Sequence, residues 1–365
     1  MMPFKHSDNY TSIQMLRGVA AIMVAIWHSQ LAVKLFQHTY LPFVPGSPPS
    51  IQNLLGRLDM GVDIFFCISG FIMVMLIESG RESGFSIFLS KRTIRIFPLY
   101  WIFTLAVVVA YLVDHKFNAA MFSGDSWDDL RHLVLSIFLI PHEKEPVLGV
   151  GWTLEQEILF YISIAVFLLF GWRKSLLASI FALSSVCIFL SVLGVEILYG
   201  KVFNVLYLEF LFGALVYKFR DCLIRINVGS FLFSGSVLYV VASIILSSGY
   251  IDSRSMSRAL IGGSIGFCFL SAAICLEGKL SGDRWIEKIM RRLGDASYVI
   301  YLSHVLTLSM LGKVAVFFPD VSTGVIFLYH VFSIVAAIVL SVILHAQLER
   351  PLQKQLKILA VDGRS

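Results

Sequence analysis

Runs of about 20 apolar residues recur along this 365-residue chain, and they constrain its fold more than any single motif does. A run of that length crosses a bilayer as a helix, and only helices and closed barrels satisfy every backbone polar group there. Ten stretches qualify: 13–33, 60–77, 96–113, 152–171, 176–194, 202–219, 231–248, 259–276, 296–317 and 323–346. An eleventh, HLVLSIFLIP at 132–141, is too short, ends in proline and reads as an interfacial or re-entrant piece. Charged residues make up 15% of the chain against 57% hydrophobic, where a water-soluble domain carries about 25% charged. The expected fold is all-α, a polytopic membrane helix bundle of about ten transmembrane helices.

Lys and Arg fix the orientation, because cytoplasmic loops are enriched in them. With the N-terminus inside, the inner segments collect Lys91, Arg92 and Arg95, the run from Lys279 to Arg292, and the tail from Arg350 to Arg364. The outer segments hold scattered single residues such as Lys34, Lys116, Lys201 and Arg258. An eleventh crossing would invert everything after it and erase this bias. Both termini are therefore expected in the cytoplasm, with residues 1–346 a single transmembrane domain and 347–365 a short basic tail. The first apolar run lacks a small-residue cleavage site and reads as a retained span. A net charge of +5, scattered along the chain, excludes nucleic acid as a partner. The five cysteines include no C-x-x-C pair, and no His, Cys or carboxylate spacing suggests a metal.

A charge inside a span costs at least a few kcal/mol, so each ionisable residue at membrane depth is a candidate for function. In RGVAAIMVAIWH, Arg17 and His28 are eleven residues apart, which returns almost to one helix face and separates them by about 16 Å. Asp63, one turn into MGVDIFFCISGF, and Glu157, in GWTLEQEILFY, are expected at the level of His28. Two acids near one imidazole would orient its tautomer and raise its basicity. Glu155 is expected nearer the surface and solvated. Arg92 and Arg95, in KRTIRIFPLYW, are expected level with Arg17, ahead of a helix whose first turn would hold Pro98. Their spacing suits a phosphate clamp. His304 completes a polar stripe with Tyr298 and Tyr301 and is expected to line a cavity, whereas His330 and His345 read as packing residues. Glu209 needs a partner that the sequence does not name.

The ordered set IQMLRGVAAIMVAIWH, GVDIFFCISGFIM, KRTIRIFPLYW, GWTLEQEILFY and DASYVIYLSH resembles the acyltransferase-3 family of membrane O-acyltransferases, in particular its exopolysaccharide-modifying branch. The likeness runs from about Ile13 to Glu349. It implies ten core spans in the inner (cytoplasmic) membrane. It also implies transfer of an acyl group, acetyl by default, from cytoplasmic acyl-CoA to a saccharide hydroxyl outside, on an acceptor that can be lipid-linked. Arg17 and His28 match the family's Arg-x10-His motif, with His28 as the essential residue. Glu157 matches the acid of its Trp-Ser/Thr-Leu…Glu…Phe-Tyr motif, and Arg92 and Arg95 match its basic cluster.

The expected assignment is then His28, Glu157 and Asp63 as the catalytic set, and Arg17, Arg92 and Arg95 on the donor's phosphates. Trp152, Tyr161 and His304 are taken as substrate-binding. His28 would act as general base or carry the acyl group itself. Acceptor choice is expected in the outer connections 34–59 and 114–151. Two other readings use the same residues: a transporter or flippase for acyl donor or lipid-linked sugar, and a non-catalytic assembly subunit. The first would be served by repeat-related halves, and no such symmetry shows in the sequence.

Overall fold

A computed structural model describes residues 10–29, 49–82, 84–114, 122–245, 255–315 and 322–362. Each of the ten expected spans coincides with a helix: α1 (Thr11–His28), α3 (Gly61–Glu78), α4 (Phe85–Val113), α6 (Gly151–Leu169), α7 (Leu176–Val192), α8 (Tyr207–Leu223), α9 (Val228–Ile245), α10 (Met256–Glu277), α12 (Ser297–Ala315) and α13 (Thr323–Leu344). Shorter helices lie between them: α2 (Pro49–Gly56), α5 (Ser126–Ile137) and α11 (Trp285–Asp295). The expected interfacial piece at 132–141 is the end of α5, a twelve-residue helix capped by the Asp125 carboxylate, which accepts from the backbone N–H groups of Trp127 and Asp128. Extended pairing among the described residues is limited to one bridge, Ile197 to Val202.

Among the described residues, seven helical stretches are long and apolar enough to cross a membrane. Helices α1, α8 and α12 are not among the seven. Each carries polar or ionisable groups: Gln14, Arg17 and His28; Glu209 and Lys218; Tyr298 and His304. The bundle is centred on α3, which is buried along most of its length and packs against α1, α8 and α10. Between α3 and α8 the backbones touch: a methyl group added to Gly213 would lie 1.7 Å from the Cys67 carbonyl oxygen, and one added to Gly70 would lie 2.0 Å from that of Phe210. Small residues permit this approach, on which helix association in lipid depends. Helices α7, α9 and α13 turn Phe181, Phe189, Phe233, Phe332 and Val339 outward, as a lipid-facing surface requires.

Two boundaries differ from expectation, both for local reasons. Helix α4 begins at Phe85, so Pro98 lies inside it. Proline removes one backbone hydrogen bond there, and the helix continues through it to Val113. Arg92 and Arg95 are consequently on the helix body. The span expected from residue 202 starts at Tyr207, because residues 193–206 form a loop in which Leu198, Tyr199 and Phe203 take positive φ. Beyond α13, the chain passes through a π-helical turn, His345–Glu349, into helix α14 (Arg350–Asp362). The tail is therefore helical through Asp362, and residues 363–365 lie outside the described set.

Candidate active site

A cavity opens between α1, α3, α4, α6 and α12. Its wall on α3 runs from Val62 to Met73, eleven residues and about 16 Å of helix rise. Arg17, Arg92 and Arg95 line it together with Glu157 and Tyr161. Thr153 and Tyr301 also line it, their hydroxyls 2.7 Å apart, and the Tyr301 hydroxyl donates to the Val150 carbonyl at 3.1 Å.

The three arginines are not equivalent. Arg92 is buried, and its Nη2 donates to both oxygens of the buried Glu82 at 2.9 and 2.8 Å. Lys91 approaches the same carboxylate at 3.3 Å. Arg92 is thus occupied by a partner that sequence reading missed, and it lies over the rings of Phe88 and Tyr161. Among the described residues Arg17 makes a single marginal hydrogen bond, 3.5 Å to the Gln14 amide oxygen. Arg95 makes no hydrogen bond or ion pair among the described residues. Two guanidinium groups therefore face one cavity with most of their donors uncommitted, an arrangement that favours an anionic guest.

Glu157 sits at the level of the arginines. Its carboxylate accepts from Ser69 at 2.9 Å and from Tyr161. Tyr161, expected to touch substrate, therefore lines the cavity as a fixed hydrogen-bond donor. Trp152 is partly buried against the apolar core and is not among the cavity-lining residues.

His28 ends α1 and stands beside His304 of α12, with His304 Nε2 3.2 Å from His28 Nδ1. His28 Nδ1 also lies 3.0 Å from the Val24 carbonyl oxygen, and His304 Nδ1 lies 2.8 Å from that of Ile300. The edge of Trp27 packs on His28 with ring centroids 4.5 Å apart. His304 is fully buried. The two imidazoles lie one side chain beyond the cavity: the Tyr301 ring is 5.9 Å from that of His304 and also lines the cavity wall. His330 holds the end of α1 through the Ser29 carbonyl at 3.0 Å, while His345 is paired with Glu349 at 2.5 Å.

Among the described residues neither expected acid, Asp63 or Glu157, contacts His28, whose neighbours are Val24, Trp27 and His304. Asp63 belongs to a buried ion-pair cluster: Arg258 Nη2 donates to it at 2.7 Å and Nε at 3.2 Å, while Arg258 Nη1 pairs with Asp59. Arg258 was expected in an outer loop; it is the third residue of α10, 5% exposed. A lone buried carboxylate is too costly to leave unpaired, and Arg258 is the available cation. Glu209 is also fully buried, its carboxyl group set against that of Asp63 in the same cluster. The position of Arg258 at the start of an apolar run marks it as a cation at the edge of a span but does not name its acid.

The N-terminal end of α6 differs from expectation as well. Glu155 is fully buried, not solvated, with the buried Lys201 ammonium 3.7 Å away. Lys201 also donates to the Lys144 carbonyl at 2.6 Å, and Gln156 donates to the Lys201 carbonyl at 3.0 Å. This network ties loop 193–206 to the connection 138–150. His142 of that connection meets His132 of α5 at 2.7 Å. Burial, then the neighbouring His142, pushes the His132 pKa down to about 4. Residues 34–48 and 115–121 of the expected acceptor-selecting connections lie outside the described residues.

Sequence comparison assigns this helix bundle to a family. The chain matches the acyltransferase-3 family, described as an acyltransferase domain, over residues 10–346, and belongs to it. A characterised relative is the exopolysaccharide production protein ExoZ of Rhizobium meliloti (strain 1021), 28% identical over 314 residues that cover 81% of this chain and 89% of that protein. No solved structure matches the chain. This is a multi-helix membrane protein of an acyltransferase family, with a relative named for exopolysaccharide production.

Proposed function

We propose that this protein is an inner-membrane O-acyltransferase that moves an acyl group, acetyl by default, from cytoplasmic acyl-CoA to a saccharide hydroxyl at the outer side. On this reading ten helices cross the membrane, both termini are cytoplasmic, and residues 1–346 form the transferase domain. The observation that carries the proposal is the pairing of Arg17 and Arg95, uncommitted and facing one cavity, with His28 at the opposite end of the helix that bears Arg17.

The donor carries phosphates at one end and a thioester at the other. Arg17 and Arg95 hold the phosphates, with charge-assisted hydrogen bonds of about 1.5–3 kcal/mol each. Arg92 contributes by fixing Glu82 and bracing the Tyr161 face. Glu157 offsets the arginine charge in the empty cavity. The pantetheine arm extends toward Thr153 and Tyr301, and Tyr301 swings aside to admit the thioester to His28. As the acceptor oxygen attacks the thioester carbon, His28 takes its proton, a role worth about 10²–10⁴-fold. The C–S bond then breaks and the thiolate leaves with that proton. A saccharide acceptor is supported by the relative's name.

The test uses purified protein in nanodiscs with acetyl-labelled acetyl-CoA and a lipid-linked oligosaccharide. Wild type is expected to form a labelled ester and His28→Ala to form none. Equal labelling by a folded His28→Ala would remove His28 from the chemistry, and absence of ester from wild type with every acceptor class would overturn the transferase reading.

A further inference from the structure

With both rings neutral, the contacts of the two imidazoles fit one protonation pattern. A carbonyl oxygen only accepts, so His304 Nδ1, 2.8 Å from the Ile300 oxygen, carries the hydrogen. The neutral ring then presents a lone pair at Nε2, the atom 3.2 Å from His28 Nδ1. The other neighbour of His28 Nδ1 is the Val24 carbonyl oxygen at 3.0 Å, again an acceptor. Faced by two acceptors, His28 Nδ1 must hold a hydrogen, shared between them, which leaves Nε2 bare. The opposite tautomer would set a buried lone pair against two others.

We propose that His304 is a positioning residue that fixes His28 with its basic lone pair on Nε2 and shares the charge when His28 becomes a cation. This rests on His28 being the general base. The carboxylate that orients a catalytic histidine elsewhere is replaced here by a second imidazole, because Asp63 is committed to Arg258 and Glu157 to Ser69 and Tyr161. In the transfer step, the hydroxyl proton passes to His28 Nε2 as the new C–O bond forms. The Nδ1–H···Nε2 contact spreads the positive charge over both rings. Collapse breaks the C–S bond, Nε2 returns the proton to the departing thiolate, and both rings end as they began. His304 is fully buried and touches no reacting atom.

The test combines ring-nitrogen NMR with kinetics. In protein labelled with ¹⁵N-histidine, without substrate, the His28 signal (assigned by its loss in His28→Gln) is expected to show a protonated Nδ1 and a bare Nε2. In His304→Phe that signal moves toward the Nε2–H form. The same variant loses about ten- to a hundredfold in kcat, at or below the foot of the 10²–10⁴-fold range for the base itself, with KM for both substrates unchanged. His304→Gln, whose amide oxygen can accept in place of Nε2, recovers most of the loss. A wild-type His28 protonated on Nε2, unchanged turnover in His304→Phe, or a Gln variant no better than a folded Phe variant would each overturn the proposal. Because the spectrum is recorded without substrate, it reads the tautomer even if His28→Ala proves active and the base reading fails.

Discussion

Replacing Arg258 by methionine strands two carboxylates in the bundle. The guanidinium holds Asp63 through Nη2 and Nε, at 2.7 and 3.2 Å, and Asp59 through Nη1 and the backbone oxygen. Asp63 is 1% exposed, so water cannot take over. Removing one partner of such a pair costs about 3–5 kcal/mol, against a folding stability of roughly 5–15 kcal/mol. Asp63→Asn is milder: Arg258 keeps Asp59, and the loss is one charge-assisted bond of about 1.5–3 kcal/mol. The double variant should cost less than the two singles together, with a coupling of about 0.5–3 kcal/mol. Thermal unfolding in detergent micelles, followed by tryptophan fluorescence, reads all three. Each kcal/mol moves the midpoint by roughly 2 °C in a large domain, so Arg258→Met is expected to fall by about 6–10 °C. Turnover per folded molecule is measured alongside. If Asp63→Asn keeps its midpoint while turnover drops by about a hundredfold, a loss of the size expected for a catalytic acid–base group, then Asp63 serves the chemistry and the ion-pair account is wrong.

Arg17→Gln and Arg95→Gln should each raise the KM for acyl-CoA by about ten- to a hundredfold, the worth of one charge-assisted contact, leaving the acceptor KM unchanged; isothermal titration with CoA checks the binding part. Arg92→Gln should instead lower the unfolding midpoint, because it leaves Glu82 buried beside Lys91 alone, and a donor KM that rises as far as in Arg95→Gln would contradict that. Gly213→Ala places a methyl 1.7 Å from the Cys67 oxygen and should cost about 3 kcal/mol or more, while Gly149→Ala, with nothing within 4 Å of the new methyl, should unfold like wild type. The His132 pKa is pushed down to about 4 in the fold from an ordinary 6.5, so the neutral pair's contribution is complete above pH 6.5 and drains away as pH falls toward 4. Hydrogen exchange in residues 122–150 should therefore rise between pH 7 and pH 5 after correction for intrinsic rates, and His132→Phe should abolish the rise.

The helices were legible because apolar length alone forces them: every expected span became a helix. The Arg17–His28 relation was legible because one continuous helix fixes both angle and rise. What could not be read was pairing between helices. Asp63 and Arg258 are 195 residues apart, and nothing local says that a residue at the start of one apolar run folds onto an acid in another. The same holds for Arg92 with Glu82, where a turn returns the chain upon itself, and for Glu155 with Lys201. His304 was visible as a polar stripe, but its contact with His28 depends on α1 and α12 lying side by side. Glu157 lines the cavity with the arginines, and its position in the span does not name the Ser69 and Tyr161 hydroxyls that take its carboxylate.

The central claim is that donor phosphates rest on Arg17 and Arg95 while the thioester reaches His28. A cryo-electron microscopy structure with a non-hydrolysable acetyl-CoA analogue tests it most directly. The account predicts phosphate density against both guanidinium groups, Tyr301 displaced, and the acyl carbon beside His28 Nε2. Density that places the nucleotide outside the bundle, or the acyl end away from His28 with Tyr301 still bonded to Thr153, would contradict it.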